Sequence, residues 1–416
     1  MKSKGLFKAY SYALAILILV DFNTIYGLEK IGSVSVSTVV TILFAAIGLI
    51  ELFTENLFKY MSINHIIFIV VTFFCSLLLI FLHSTTVYFV IKYYISILVL
   101  LENTLLVPKR NSDIFLKSII NIAVLIACVS LFFWLFGSIL HLIGPSGTIY
   151  SNWSKVSVNS YHNIYYETQL TNISGLFGRT IFRNSGIFTE GPVAAAFYAY
   201  IYILQYNHIN IKYWKKIIII VAMLTTLTGT GFVSIGFIVL SNILIKMTKK
   251  KRRLLDFSLF TLSMFILLIL AAFLRKFIAL KLVANSGQLR SDDIRATLDT
   301  FSQNFISGVG IGNTQPIIDN MAPWRFMGYF WQTGLSSGLF VFLAEGGLLL
   351  AIPFVVSLII GFFRKVKLFP IQTVFQYSMF IYLIINNISF YQNLVILVYI
   401  LVITKWPQDN FIKEYV

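Results

Sequence analysis

Charge is scarce in this chain: Asp, Glu, Lys and Arg make up 12% of its 416 residues, whereas 58% are hydrophobic. A soluble domain is about a quarter charged, so a water-soluble core of this size is excluded. Acidic residues are the scarcer sign, 16 against 32 basic ones. The net charge of +16 does not point to nucleic acid, because the basic residues form short clusters between apolar runs, as in the loops of a membrane protein. Cysteine is nearly absent. Cys75 and Cys128 both lie inside apolar runs, which argues against a disulfide framework or a thiolate metal site. A cleavable signal peptide is not expected, since the first apolar run ends in "DFNTIYG" with no small-residue cleavage site.

What the chain has instead is long apolar runs. About twelve can each cross a bilayer as a helix, near 9–27, 34–53, 64–82, 86–106, 114–142, 187–206, 216–229, 231–247, 254–274, 335–361, 371–388 and 391–405. The pair at 216–247 is interrupted by "TLTGTGF" and reads as a buried helical hairpin turning at Gly229 to Gly231 on the external side. The expected fold is an all-α, polytopic membrane protein forming a single domain over 1–416.

Orientation follows from the basic clusters: Lys2, Lys4 and Lys8; Lys109 and Arg110; Lys212, Lys215 and Lys216; "KKKRR" at 249–253; Arg364, Lys365 and Lys367. All fall on one face, which is therefore cytoplasmic, with both termini inside. The opposite face carries two long segments, about 143–186 and 275–334. Chemistry on that face meets no nucleotide pool, so its substrate must arrive already activated.

In the second segment, "LRSDDIRATLDTFSQNFISG" spaces Leu289, Ile294, Leu298, Phe301 and Phe305 close to the period of an amphipathic helix. Asp292, Arg295 and Asp299 form a charged stripe able to pair internally. Arg290 lies four residues before Ile294. If the helix reaches back that far, it points into the protein and needs an anionic partner; with Ser291 as the N-cap, it lies just outside the helix. In the first segment, Arg179 and Arg183 are four apart. On one helical turn they would present two guanidinium forks to a single diphosphate, or else meet anionic lipid headgroups. Glu190 falls in the first turn of the span at 187–206, where the helix end favours an anion.

"GVGIGN" at 308–313 follows no strand and opens no βαβ unit, so its glycines are read as a tight turn rather than a nucleotide loop. Aromatic residues are dense in both segments: Tyr150, Trp153, Tyr161, Tyr165 and Tyr166 in the first, Trp324, Tyr329 and Trp331 in the second. Such rings stack on sugars or sit in an interfacial belt. His141 and His162 lack metal-ligand spacing. Arg179, Arg295, His162, Tyr166, Trp324 and Arg325 make up the candidate substrate-binding set. Asp21 and Glu345 stand inside predicted spans with no partner evident in sequence.

Four stretches together carry a resemblance: "RNSGIFTEGP" at 183–192, "TLTGTGF" at 226–232, "SGVGIGNT" at 307–314 and "FLAEGGLLLAIPF" at 342–354. In this order and on this face they resemble the bacterial O-antigen polymerase and ligase superfamily, over about residues 170–360. The resemblance implies a GT-C-like glycosyltransferase of the cytoplasmic membrane whose two large external loops bear essential arginines. It carries over to Arg183 and Glu190 through the Arg-x-x-Gly-x-Phe-x-Glu pattern, and to Arg290 as the arginine before the glycine-rich turn. The segment between that turn and "AEGG" has no histidine, which favours a polymerase over a ligase. Gly191 is inserted where proline often follows the glutamate directly.

The expected activity is polymerisation of oligosaccharide repeat units carried on a polyprenyl diphosphate, with the lipid diphosphate as leaving group. Arg290 and Arg183 would stabilise its developing charge, and Glu190 or His162 would take the acceptor proton. Arginines in that role replace a divalent metal, so neither metal nor cofactor is expected. The implied partners are the lipid-linked donor and acceptor, membrane lipids, a flippase and a chain-length regulator, for an O-antigen, capsular or exopolysaccharide product. The alternatives are a ligase moving finished glycan and, outside enzymes, a lipid-linked oligosaccharide flippase.

Overall fold

The computed structural model describes residues 2–31, 34–54, 63–83, 87–106, 114–172, 180–206, 211–249, 285–327, 333–367, 370–387 and 390–404. The apolar run at 254–274 and Arg179 lie outside these residues. The fold is mostly helical. Its principal helices are α1 (Lys2–Val20), α2 (Val36–Thr54), α3 (Ile63–Leu82), α4 (Val87–Leu106), α5 (Ile114–Phe133), α6 (Gly191–Tyr206), α7 (Tyr213–Thr225), α8 (Gly229–Lys249), α9 (Asn285–Gln303), α10 (Gln315–Asp319), α11 (Gly338–Val366), α12 (Pro370–Asn386) and α13 (Asn393–Ile403).

Among the described residues, three helical segments are long and apolar enough to cross a membrane: Val87–Thr104, Ile114–Ile139 and Gly338–Val366. Lys8–Val20, Val36–Gly48, Ile66–Leu82, Gly229–Ile245 and Asn393–Ile403 are shorter apolar helices. Their outer faces suit hydrocarbon: Phe74, Leu77, Leu78 and Phe81 on α3, and Ile352, Val356 and Phe363 on α11, are exposed large hydrophobics. Exposed apolar patches of this kind mark membrane or protein contact surfaces.

Helix α6 is the hub. Every residue from Val193 to Leu204 is buried, and α5, α7, α8, α12 and α13 all pack on it. Ala194, Ala195, Ala196 and Ala199 let those neighbours approach closely. The helix begins at Gly191 rather than at 187. Residues 187–189 are held in extended contact with 23–25 instead: Ile25 N donates to Ile187 O (3.0 Å) and Thr189 N to Asn23 O (3.1 Å). Glu190 thus immediately precedes the most buried helix of the fold, and its carbonyl accepts from Ala194 N (3.1 Å).

The segment 21–25 is itself anchored. Asp21, at the end of α1, accepts from Lys92 Nζ of α4 at 2.6 Å and from Asn393 N at the start of α13 at 3.0 Å. The carboxylate unpaired in sequence is therefore the junction of three helices. Glu345 is buried on α11, its carboxyl facing Gly312 and Tyr391.

The expected hairpin at 216–247 is present as α7 and α8, but it turns at 226–228, ahead of the glycines. Leu227 takes the left-handed conformation there (φ 51°). Thr228 Oγ1 caps α8 by accepting from Gly231 N at 3.1 Å. A Cβ on Gly231 would stand 2.8 Å from Met223 O, so that glycine serves close approach rather than the turn itself.

The first long segment departs from an all-α fold. Strands β3 (Gly147–Ser151), β4 (Val156–Tyr161) and β5 (Tyr165–Tyr166) form an antiparallel sheet, and β6 (Leu170–Asn172) pairs antiparallel with β7 (Thr180–Phe182). A further two-residue pair, β1 (Lys30–Ile31) with β2 (Val34–Ser35), follows α1. Stretches such as "VSVNSY" alternate over too few residues to stand out against long apolar runs.

Two glycine-rich stretches far apart in sequence interlock. Val309 N and Gly310 N donate to Ala344 O and Glu345 O (both 2.9 Å), while Leu348 N and Leu349 N donate to Phe305 O and Ile306 O. Gly308 and Gly347 face each other at this junction, with φ of 65° and 56°. The turn in "GVGIGN" is therefore also a docking surface for the break in α11 at Gly347. Gly347→Ala would drive a methyl group into the Gly308 amide and force a backbone state nearly exclusive to glycine. A loss of about 1–3 kcal/mol is expected, read as a lower unfolding midpoint in detergent, whereas Gly144→Ala, with open space around its Cβ, serves as the neutral control.

Candidate active site

Arg183 is aimed by strand pairing. Its amide donates to Gln169 O (3.0 Å), extending the β6–β7 ladder by one residue, so its side chain runs alongside the partner segment. There Nη1 donates to Gln169 Oε1 at 2.8 Å and Nη2 to Thr171 Oγ1 at 3.3 Å. The next residue, Asn184, locks the strand end to the α7–α8 hairpin through Thr225 Oγ1 at 2.9 Å. Gly191 clears the path: a Cβ there would meet Arg183 Cδ at 3.0 Å and Thr228 Cγ2 at 3.1 Å. The expectation of Arg183 on a helical turn with Arg179 is replaced by an extended backbone over 180–182.

Arg290 lies within α9, which begins at Asn285, so Ser291 is an interior helical residue and not the N-cap. Arg290 Nη1 donates to Asn386 Oδ1 at 3.0 Å, and the Asn386 amide is fixed by its own donation to Tyr382 O at 2.9 Å. The buried stripe of α9 differs from the apolar spacing. It consists of Asp292, Asp293, Ala296, Thr297 and Thr300, whereas Leu298 and Phe305 are exposed. The cause is Arg325, which is buried against this face and donates to Asp293 at 2.5 Å and to Asp292 at 3.4 Å. Thr297 and Thr300 return their hydroxyls to carbonyls of their own helix.

These segments enclose a cavity of about 350 Å³ whose lining includes Arg183, Glu190, Arg290 and Asp293, together with Trp153, Gln169 and Asn386. The two arginines and the glutamate singled out from sequence, from loops roughly a hundred residues apart, thus share one cavity. Asp293 is held by Arg325 and by Ser336 Oγ (2.5 Å).

The arginines of the two loops divide by partner. Arg295, itself exposed, is paired along α9 with the buried Asp292 (2.7 Å) and the exposed carboxylate of Asp299 (3.5 Å). Arg325 is paired with Asp292 and Asp293 in the interior and also donates to Gly334 O. Among the described residues, Arg183 and Arg290 form no salt bridge; neutral amides orient both. Arg183 Nε is buried with no hydrogen-bond partner. Burial pushes its guanidinium below the ordinary arginine range, and the charge of Glu190 offsets part of that. It remains a cation at neutral pH, because arginine starts so far above it. Burial alone would raise the Asp292 carboxyl, yet Arg295, the Ala322 amide and Arg325 together hold it below its usual range.

The remaining candidates lie elsewhere. His162 is exposed at the β4–β5 turn with φ 50°, its amide donating to Ser146 Oγ. Tyr166 is buried, with its hydroxyl on Asn163 O and its ring against Tyr26. Trp324 is exposed on the turn Pro323–Phe326. Gln169, Asp293 and Asn386 are cavity residues that the sequence reading missed. Asn386 and Asn387, consecutive amides ending an apolar run, were the one visible signal.

Two arginines held by neutral groups bring planar forks of N–H donors to one cavity, an arrangement suited to an anion with several oxygens. Glu190, beside them at the N-terminus of α6, is a carboxylate within the same space, able to accept a proton from a bound hydroxyl. No protein-family model matches the chain, and no curated protein matches it in sequence.

Proposed function

We infer that this chain is a polysaccharide polymerase of the cytoplasmic membrane, acting on oligosaccharide repeat units linked to a polyprenyl diphosphate. The single observation that carries this reading is that Arg183 and Arg290 face one cavity beside Glu190 while neutral amides, rather than carboxylates, orient them. A cation withdrawn from water favours an anionic counterpart, and among the described residues no carboxylate forms a salt bridge with either arginine. A lipid diphosphate provides that counterpart. The resemblance of the four motifs to the O-antigen polymerase and ligase superfamily supports the same reading. So do the three helical segments among the described residues that are long and apolar enough to cross a membrane; in this reading the chain has about twelve spans, both termini lie inside and the cavity faces outward.

In the proposed reaction, an acceptor sugar hydroxyl attacks the anomeric carbon of the donor. The new glycosidic bond forms as the bond to the lipid diphosphate breaks, and the electron pair leaves with the diphosphate. Arg183 and Arg290 stabilise the charge that accumulates there. Glu190 takes the acceptor proton. Purified protein reconstituted with the lipid-linked repeat unit of its own cell, and no other enzyme, is expected to yield a ladder of multiples. A unit that stays single but crosses the liposome bilayer would replace this reading with a flippase, and transfer of a finished glycan without lengthening would replace it with a ligase.

A further inference from the structure

Trp153 is a cavity residue with no part in the proposed chemistry. Trp153 lines the cavity beside Arg183 and Glu190, yet 45% of its surface is exposed. It sits at the tip of the β3–β4 hairpin, where the backbone is tightly specified. Lys155 N donates to Ser151 O at 2.8 Å, Ser154 N to Ser151 Oγ at 3.3 Å, and Lys155 takes a positive φ of 57°. The preceding residue ties the tip to the body: Asn152 Nδ2 donates to Leu28 O at 3.2 Å. The backbone that carries this large ring to the cavity lining is therefore fixed before a ligand arrives, as a binding platform requires.

Besides the carboxylates Glu190 and Asp293, the lining carries two kinds of polar group. Arg183 and Arg290 are its cationic groups. Gln169, Asn386, Asn387 and Ser336 are neutral hydrogen-bonding groups. An inorganic anion or bare lipid diphosphate uses only the first set. A pyranose uses the second, its hydroxyls meeting amides and its C–H face meeting an aromatic ring.

We propose that Trp153 is the stacking platform of a saccharide subsite, which holds the sugar adjoining the diphosphate while the two arginines hold the diphosphate itself. This rests on the function proposed above. It adds a residue through which the saccharide, rather than the lipid, is recognised.

The test is binding, measured by calorimetry on the purified full chain in detergent. Two probes are used: undecaprenyl diphosphate with no sugar, and the lipid-linked oligosaccharide extracted from membranes of the producing cell. Wild type is expected to bind the second more tightly than the first. Trp153→Ala should lose on the order of tenfold for the sugar-bearing probe and keep its affinity for the bare diphosphate, whereas Trp153→Tyr should retain most of the difference. If Trp153→Ala leaves both affinities unchanged, the ring is an interfacial anchor and the subsite is overturned. The same follows if it weakens both alike, or if sugar adds nothing to wild-type binding. Failure of wild type to bind even the bare diphosphate would sink the functional reading, and the subsite with it.

Discussion

Arg290→Ala is expected to slow chain growth roughly 100- to 1,000-fold while the protein remains folded, the range seen when one preorganised donor to a developing anion is removed. The expectation of an intact fold comes from its surroundings. Arg290 is partly exposed and bonded to the neutral Asn386 rather than to a carboxylate, so its loss strands no buried charge. Asn386 keeps its own bond to Tyr382 O and stays in place. Arg290→Lys restores the charge but not the planar fork, and should recover only a small part of the rate. Both variants are read in the reconstituted system by the length and yield of the ladder, alongside an unfolding midpoint in detergent. A full-length ladder at wild-type rate from Arg290→Ala would remove this residue from the mechanism.

The second large effect is on stability. Lys92→Met leaves Asp21 buried beside an apolar side chain, and breaking a buried pair from one side costs about 3–5 kcal/mol. Asp21 also holds the first amide of α13, so the damage reaches three helices at once. The double variant Asp21→Asn/Lys92→Met removes both charges yet keeps an oxygen for the Asn393 amide, and should recover more than half of the loss. Thermal unfolding of the three proteins in one detergent decides the matter. Activity should fall with the single variant too, because residues 22–23 line the cavity and Asn23 O holds Thr189 next to Glu190. Equal stability of Lys92→Met and wild type would show that the pair is not a structural junction.

Legibility from sequence followed the rarity of charge. In a chain with 12% charged residues, Arg183, Glu190 and Arg290 stand out, and all three line one cavity. The ladder of Asp292, Arg295 and Asp299 was legible because helical spacing alone sets it. The buried face of α9 was not. Hydrophobicity assigned it to Leu289, Ile294, Leu298, Phe301 and Phe305; Phe301 does pack inward, but Leu298 and Phe305 are exposed, and Arg325, more than thirty positions away, draws Asp292 and Asp293 inward. Distance along the chain hid the rest in the same way. Asn386 orients Arg290 from 96 residues on, and nothing local to either residue marks the pair. The glycines at 308–313 were read as a turn, but the surface they dock on lies at 344–349. Spacing reports what a segment can do alone, and these contacts belong to pairs of segments.

Arg325 shows how partners refine a candidate set. By residue type and loop it stands with the substrate-binding arginines. Its guanidinium is instead buried on two carboxylates and on Gly334 O, where it joins α9 to the segment that leads into α11. Among the described residues of the two loops, Arg183 and Arg290 form no salt bridge with a carboxylate, and theirs is the charge that remains for a ligand.

The central claim is that Arg183 and Arg290 together hold a lipid diphosphate. Electron cryomicroscopy of the chain in a lipid nanodisc, saturated with its own lipid-linked repeat unit, tests it most directly. The account predicts phosphate density between the two guanidiniums, within about 3 Å of their N–H groups, with sugar density leading away along Trp153. Diphosphate density held by Arg295, or at the basic clusters such as Lys212, Lys215 and Lys216, with the cavity still empty, would contradict it.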